Sequence, residues 1–347
     1  MPPTLTGALR DLTRRVDWYI VALFGAIGIA ALFPAERETA AAVSWLTRLA
    51  IGLLFFLYGA RLSPRAALDG ARHWRLHLPV LALTFVAFPL LALAAGLMPD
   101  RMLGAELTAG VLFLAVLPST VQSSIAFTSM ARGNVAAALC SASFSTVLGV
   151  VLTPALAVVL IGRSEDGGVP FGLSQLSDIS LQLLLPFLTG QAVRRWIADW
   201  LGRHRTVIGL CDRGSILLVV YAAFSRGMTT GIWQRVSPGR LAVLSVLVAL
   251  LLGTALLLAD RCARMLRLPR EDRVTAIFCG ATKSLASGLP MASVLFPAKE
   301  VAMTVLPLML YHTLQLVVCA ALARRLSRRT LPPSPTSTPT SASARAS

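Results

Sequence analysis

The residues best suited to chemistry in this chain are those that its surroundings make least comfortable. Lys283 lies in "FCGATKSLASGLP" (278–290), a stretch that is otherwise apolar and small, with Gly280, Gly288 and Pro290 around the charge. An ammonium at the centre of a bilayer costs about 2.5–3.5 kcal/mol on insertion scales, and such charges default to functional sites. Three functional roles fit it: a fixed cation standing where a metal ion would otherwise sit, a contact for an anionic substrate, or a proton carrier. A structural role also fits, in which the span is shifted in depth and the lysine snorkels to water.

A second polar cluster, Ser119, Thr120, Gln122, Ser123 and Ser124, follows Pro118 inside "ELTAGVLFLAVLPSTVQSSIAFTSMARGN". Thr120, Ser124 and Thr128 recur at i, i+4 and i+8 and are expected on one helix face, as are Lys283 and Ser287. Thr282 and Ser284 flank the lysine with hydroxyls. In "YHTLQL", His312 and Gln315 are three apart on one face, and His312 is either a proton carrier or a hydrogen-bonded core group. Ser141, Ser145 and Gly149 have the small-residue spacing of close helix packing.

The elements that position these groups follow from composition. Of 347 residues, 56% are apolar and only 14% charged, against about 25% charged in soluble proteins. Ten apolar runs, near 17–34, 40–60, 77–98, 106–130, 135–161, 178–197, 207–227, 239–260, 271–296 and 301–323, approach the length of about 20 residues that crosses a bilayer. Their lack of period-2 alternation excludes barrel strands. The first run ends at "LFPAERE" without a small-residue cleavage site, so it is expected to be retained.

The net charge of +16 follows membrane topology and does not indicate nucleic acid. With the N-terminus inside, 23 of the 32 Lys and Arg residues fall in the inner segments and 7 in the outer ones, leaving Arg48 and Lys283 within spans. Both termini are therefore expected in the cytoplasm, and Arg48 is expected to snorkel to the outer surface. Five cysteines without C-x-x-C spacing indicate neither a disulfide framework nor a zinc site. His73, His77 and His204 are placed in basic inner loops and form no ligand cluster. The Pro/Ser/Thr-rich end "LPPSPTSTPTSASARAS" is expected to be a disordered tail.

Runs four and nine differ from the rest. Proline removes a backbone donor and glycine weakens a helix, so each is expected to be two half-helices joined by unwound backbone. Irregular backbone at membrane depth persists only where it lines a cavity or is packed in protein. The two occupy equivalent places in two five-span halves, and an odd span number inverts the second half. Paired broken helices in inverted repeats point to a secondary transporter's binding site. N-terminal half-helix ends suit anions and C-terminal ends suit cations.

"LLFFLYGARLS" (53–63), "LPSTVQSSIAFTSMARGNVAAALCSASFSTVLGVVLTP" (117–154) and "FCGATKSLASGLPMASVLFP" (278–297) resemble the bile acid:sodium symporter family, in its SBF-like branch of sodium-dependent transporters. The resemblance extends to about residue 325. It implies an all-α polytopic membrane protein with ten transmembrane helices in two inverted five-helix repeats, arranged as a panel and a core, with spans four and nine crossing at the ion site. It also implies alternating-access transport of an organic anion. The family's ninth-span glutamate, glycine, glutamine and asparagine fall on Phe278, Gly280, Thr282 and Lys283, so only the glycine matches. Ser124 falls on a sodium-liganding serine and Ile125 replaces its asparagine neighbour. A sodium site is thus implied near Ser124 and Thr282 without the carboxylate.

The resulting expectation is a cytoplasmic segment over 1–16, five-helix repeats over 17–161 and 162–325, and a cytoplasmic tail over 326–347. The function expected is secondary active transport of a small organic anion across the bacterial inner membrane. It is coupled to sodium by family habit, or sodium-independent or proton-coupled where Lys283 replaces the ion, with no other cofactor. A membrane regulatory protein and a lipid-modifying enzyme are the other classes. Inside their end turns the spans carry no H-E-x-x-H, G-x-S-x-G or carboxylate pair. Substrate identity and oligomeric state are not encoded in any motif.

Overall fold

A computed structural model describes residues 18–61, 73–96, 102–161, 173–229, 231 and 237–328. The expected N-terminal segment, Arg65, Arg72 and the tail beyond 328 lie outside them. Regular structure among the described residues is entirely helical. The order is α1 (Trp18–Leu32), α2 (Arg37–Arg61), α3 (Trp74–Ala82), a π-helical turn (Leu83–Ala87), α4 (Phe88–Gly96), α5 (Ala105–Val116), α6 (Val121–Met130), α7 (Val135–Ile161), α8 (Leu173–Arg203), α9 (Arg205–Thr229), α10 (Pro238–Met265), α11 (Arg270–Ala281), α12 (Leu285–Leu295) and α13 (Val301–Arg328).

Each apolar run of the sequence falls on one of these helices or helix groups. Several extend beyond the run, as α8 does at both ends, because polar end turns keep their backbone bonds inside the helix. Among the described residues, six helices are long and apolar enough to cross a membrane, and α5–α6, bent by 61° at its break, makes a seventh. By contrast, α1 has only fifteen residues, and α11 opens on Arg270, Glu271, Asp272 and Arg273. Large apolar side chains such as Leu250 and Leu257 of α10 stand exposed; exposed apolar groups of this size suit lipid.

Helices α1, α2, α8 and α9 pack as one group. Glycine makes this possible where α2 and α8 cross. A Cβ on Gly59 would lie 1.9 Å from the Phe187 carbonyl oxygen, and one on Gly190 would lie 2.0 Å from that of Phe56. The remaining helices pack around α5–α6 and α11–α12, and the two groups meet where α8 and α9 touch α7, α12 and α13. Inside the second group, edge-on ring pairs Phe88–Tyr311 and Phe113–Phe296 fill the core.

One placement corrects the sequence reading. His77 is not in a loop: it is buried in α3, its Nδ1 2.6 Å from Ser141 Oγ and its ring edge-on to Phe144. The helix begins earlier than the apolar run because Trp74 and Leu76 continue its apolar side past Arg75, and Leu76 is buried.

Candidate functional site at the crossing of the two broken helices

Both breaks are present, and they arise differently. Between α5 and α6 the cause is covalent: Pro118 has no N–H and disfavours helical geometry in the residue before it. Leu117 accordingly turns extended, at φ −71° and ψ 150°. Between α11 and α12 no proline intervenes, and Thr282 and Ser284 are extended at ψ 148° and 108°. Here the break is held by side chains. Ser284 caps α12 by accepting from the Ser287 N–H at 3.1 Å, and its own N–H donates to the Pro118 carbonyl at 2.9 Å, joining the two breaks directly.

Lys283 sits in that extended segment and is completely buried. Its ammonium has three N–H donors, and it donates to three backbone carbonyls: Ala115 and Leu117 at 2.7 Å each, and Thr84 at 2.9 Å. Two of these belong to the C-terminal end of α5, where carbonyls have no intrahelical partner and carry partial negative charge. The third is free for a local reason. In the π-helical turn the Phe88 N–H reaches back to the Leu83 carbonyl, and the next donor along would be residue 89, a proline. The Thr84 carbonyl is thereby left for the lysine. The Phe88 ring faces the ammonium, 4.2 Å from Nζ to the centroid, adding a cation–π contact.

The surrounding backbone ends are also satisfied. Thr153 Oγ1 donates to the Val116 carbonyl at 2.8 Å, and the Tyr311 hydroxyl donates to the Ala281 carbonyl at 2.6 Å. The Gln315 amide clamps the lysine's own backbone: Oε1 accepts from Lys283 N at 2.9 Å and Nε2 donates to Lys283 O at 3.0 Å. His312 Nδ1 lies 2.9 Å from the same Nε2. Since Nε2 is a donor, Nδ1 accepts, which makes His312 a partner of the Gln315 clamp.

Among the hydroxyls, Ser119, Ser124 and Thr282 meet. Ser124 Oγ is 2.7 Å and Ser119 Oγ 3.1 Å from Thr282 Oγ1, with 3.4 Å between the two serines. Thr282 gives its proton to the Phe278 carbonyl, so it accepts from the serines. The Ser119 N–H donates to Ser145 Oγ at 2.9 Å, drawing Ser145 from a packing position into the site. Phe278 itself is a buried ring packed on Phe127. Among the described residues no cluster of His, Cys, Asp and Glu could hold a metal ion.

The other expected residues divide. Thr120, Gln122, Ser284 and Ser287 line a cavity of about 380 Å³ between the crossing and helices α2 and α9. The N-terminal ends of α6 and α12 open into it through Val121 and Ala286. Ser123 and Thr128 have buried hydroxyls with no partner among the described residues, and Thr128 lies toward the far end of α6, away from the break. The expectation that Lys283 and Ser287 share a helix face is not met. Lys283 precedes α12 and turns toward α5, whereas the Ser287 hydroxyl pairs with Ser284 Oγ.

The cavity also holds groups that the sequence reading did not select: Tyr58, Arg61, Asp212 and Arg213. Arg61 and Asp212 form an ion pair at 2.6 Å between α2 and α9. The "CDRGS" segment in an otherwise apolar run was the available signal for Asp212 and Arg213. Thr84 offered none from its side chain, because its carbonyl does the work.

Residues 17–328 match the model of the SBF-like CPA transporter family (DUF4137). A Pseudomonas aeruginosa protein named "Uncharacterized protein PA2026" is 50% identical over 313 residues, covering 90% of this chain and 93% of the relative. "Putative symporter YfeH" of Escherichia coli is 46% identical over 319 residues, covering 92% and 95%. "Sodium/bile acid cotransporter 7" of Rattus norvegicus is 28% identical over 314 residues, covering 89% and 92%.

Proposed function

Since this chain belongs to the SBF-like CPA transporter family, we propose that it is a secondary active transporter that carries a small organic anion across the bacterial inner membrane by alternating access. The ammonium of Lys283 serves as a built-in cation at its helix crossing. The observation that carries this reading is the set of three carbonyls, from Thr84, Ala115 and Leu117, that share one buried ammonium. Oxygen-only coordination of that kind is what a hard cation requires, and here every donor of the lysine is used in it. A proton-carrying or anion-binding lysine would have to break one of these bonds and reach the cavity.

The anion belongs on the other side of the breaks. The N-terminal ends of α6 and α12 present partial positive charge, and Arg61 and Arg213 line the same cavity. Ten crossings in inverted repeats over 17–161 and 162–325, with both termini cytoplasmic, complete the proposal. In that topology the cavity opens to the cytoplasm, and movement of the α1, α2, α8, α9 group against the crossing exposes the breaks to alternate sides. A second reading, sodium coupling, is favoured by the hydroxyl cluster of Ser119, Ser124 and Thr282 and by the name of the rat relative.

Uptake into proteoliposomes separates the readings, using sodium, potassium or a pH gradient as the only driving ion. Uptake by the parent chain without sodium, together with loss of uptake or a new sodium requirement in Lys283→Gln, supports the built-in cation. Strict sodium dependence that is unchanged in Lys283→Gln overturns it.

A further inference from the structure

Away from the crossing, a second cavity of about 620 Å³ lies between α2, α9 and the C-terminal end of α12. Ser44, Thr47, Arg48, Arg226 and Ser293 contribute its polar wall, and none of the described residues lining it is acidic. Arg226 Nη2 donates to Ser44 Oγ at 2.5 Å. Arg48, one helical turn from Ser44, lines the same cavity from an exposed position. Arg48 makes no hydrogen bond or ion pair with the described residues.

An independent feature is Thr47. It is only 7% exposed, it lines the cavity, and its hydroxyl has no hydrogen-bond partner among the described residues. A buried hydroxyl without a partner costs free energy, and an anionic group in this cavity would accept from it while meeting the Arg48 and Arg226 side chains that line the same wall. Planar, forked donors of this kind match carboxylate, sulfonate and phosphonate oxygens.

We propose that this cavity is an anion-binding site, distinct from the one at the crossing, that captures the acidic headgroup of a soluble organic anion on the side opposite the Arg61 cavity. Its assignment to the external side, and its place ahead of the crossing in the transport path, rest on the topology proposed above. Arg48 and Arg226 hold the headgroup, Thr47 donates to it, and the apolar wall of Ile51, Val294 and Val301 receives the organic portion.

The test is chemical protection of the full chain in lipid-free micelles. Ser293→Cys places a thiol on the cavity wall, and its hydroxyl bonds only within its own helix, to the Leu289 carbonyl. Alkylation of Cys introduced there by neutral N-ethylmaleimide is followed by mass spectrometry of the α12 peptide. Benzenesulfonate, phenylphosphonate and benzoate are added at constant ionic strength, with benzamide as the neutral control. The proposal expects saturable protection by at least one of the anions and none by benzamide, the rate falling about tenfold at ten times the half-protecting concentration. Adding Arg48→Gln should raise that concentration about tenfold, and Arg48→Lys should raise it less. The Gln122→Ala variant, disabled at the crossing, should keep full protection, which separates this site from the transport reading. The proposal is overturned by equal protection from benzamide, by protection unchanged in Arg48→Gln, or by no protection from the three anions. Protection by phosphatidylglycerol in nanodiscs with none from the soluble anions would assign the site to lipid and overturn it too.

Discussion

Replacing Lys283 with Met keeps a long unbranched side chain and removes the three donors. Each bond from a charged donor is worth about 1.5–3 kcal/mol, so loss of the bonds to Thr84, Ala115 and Leu117 removes about 5–9 kcal/mol. Burial of the ammonium, at about 2.5–3.5 kcal/mol, is relieved at the same time. The net expectation is destabilisation by about 2–6 kcal/mol, large for a single side chain. Lys283→Gln should fall between Met and the parent, since its amide donates two bonds but ends one bond nearer the backbone. The assay is thermal unfolding of purified protein in matched sodium and potassium buffers. If the freed carbonyls accept sodium, the Met and Gln variants gain about 1.4 kcal/mol from sodium at ten times its Kd, and the parent gains nothing. A Met variant as stable as the parent would refute the claim that the ammonium holds these helix ends. A parent stabilised by sodium as strongly as the variants would refute the claim that the lysine takes the cation's place.

Other substitutions probe the supporting structure. Gln315→Leu removes both bonds to the Lys283 backbone; it should cost about 2–4 kcal/mol in thermal unfolding and abolish proteoliposome uptake, whereas Gln315→Glu, which can still accept from Lys283 N, should lose less stability. Tyr311→Phe leaves the Ala281 carbonyl without its donor and should cost about 1–3 kcal/mol with near-normal expression, measured by the same unfolding. Gly190→Ala sets a methyl group 2.0 Å from the Phe56 carbonyl oxygen, so the α2–α8 crossing must separate, at a cost of about 3 kcal/mol visible as a lower folded yield. Gln122→Ala should abolish uptake at unchanged folded yield, because Gln122 lines the cavity, and normal uptake would remove it from the site. Cysteine labelling in intact cells should find positions in 198–206 and 261–273 shielded from impermeant reagents, and labelling there would overturn the proposed orientation.

Much of the site was legible in the sequence because helix breaks and membrane charges have local causes. Pro118 ends α5 wherever the chain is placed, and a lysine among "FCGAT" and "LASGLP" is costly in any apolar surrounding. The hydroxyls of Ser119, Ser124 and Thr282 stand next to those breaks, so proximity to the crossing followed from position alone. What tertiary structure decided was which partners complete them. Backbone carbonyls look identical in a sequence, and the three that bind Lys283 come from two separate elements. One of them, at Thr84, is available only because a π-helical turn meets Pro89. Lys283 and Ser287 were separated in direction because an extended break rotates one residue away from the helix that follows it. Arg61 and Asp212, 151 positions apart, were brought together by the α2–α9 packing, and Arg48 came to share a wall with Arg226 through the same seam. Local chemistry determines where a helix can stop; only the packed fold determines which donor satisfies the end it leaves.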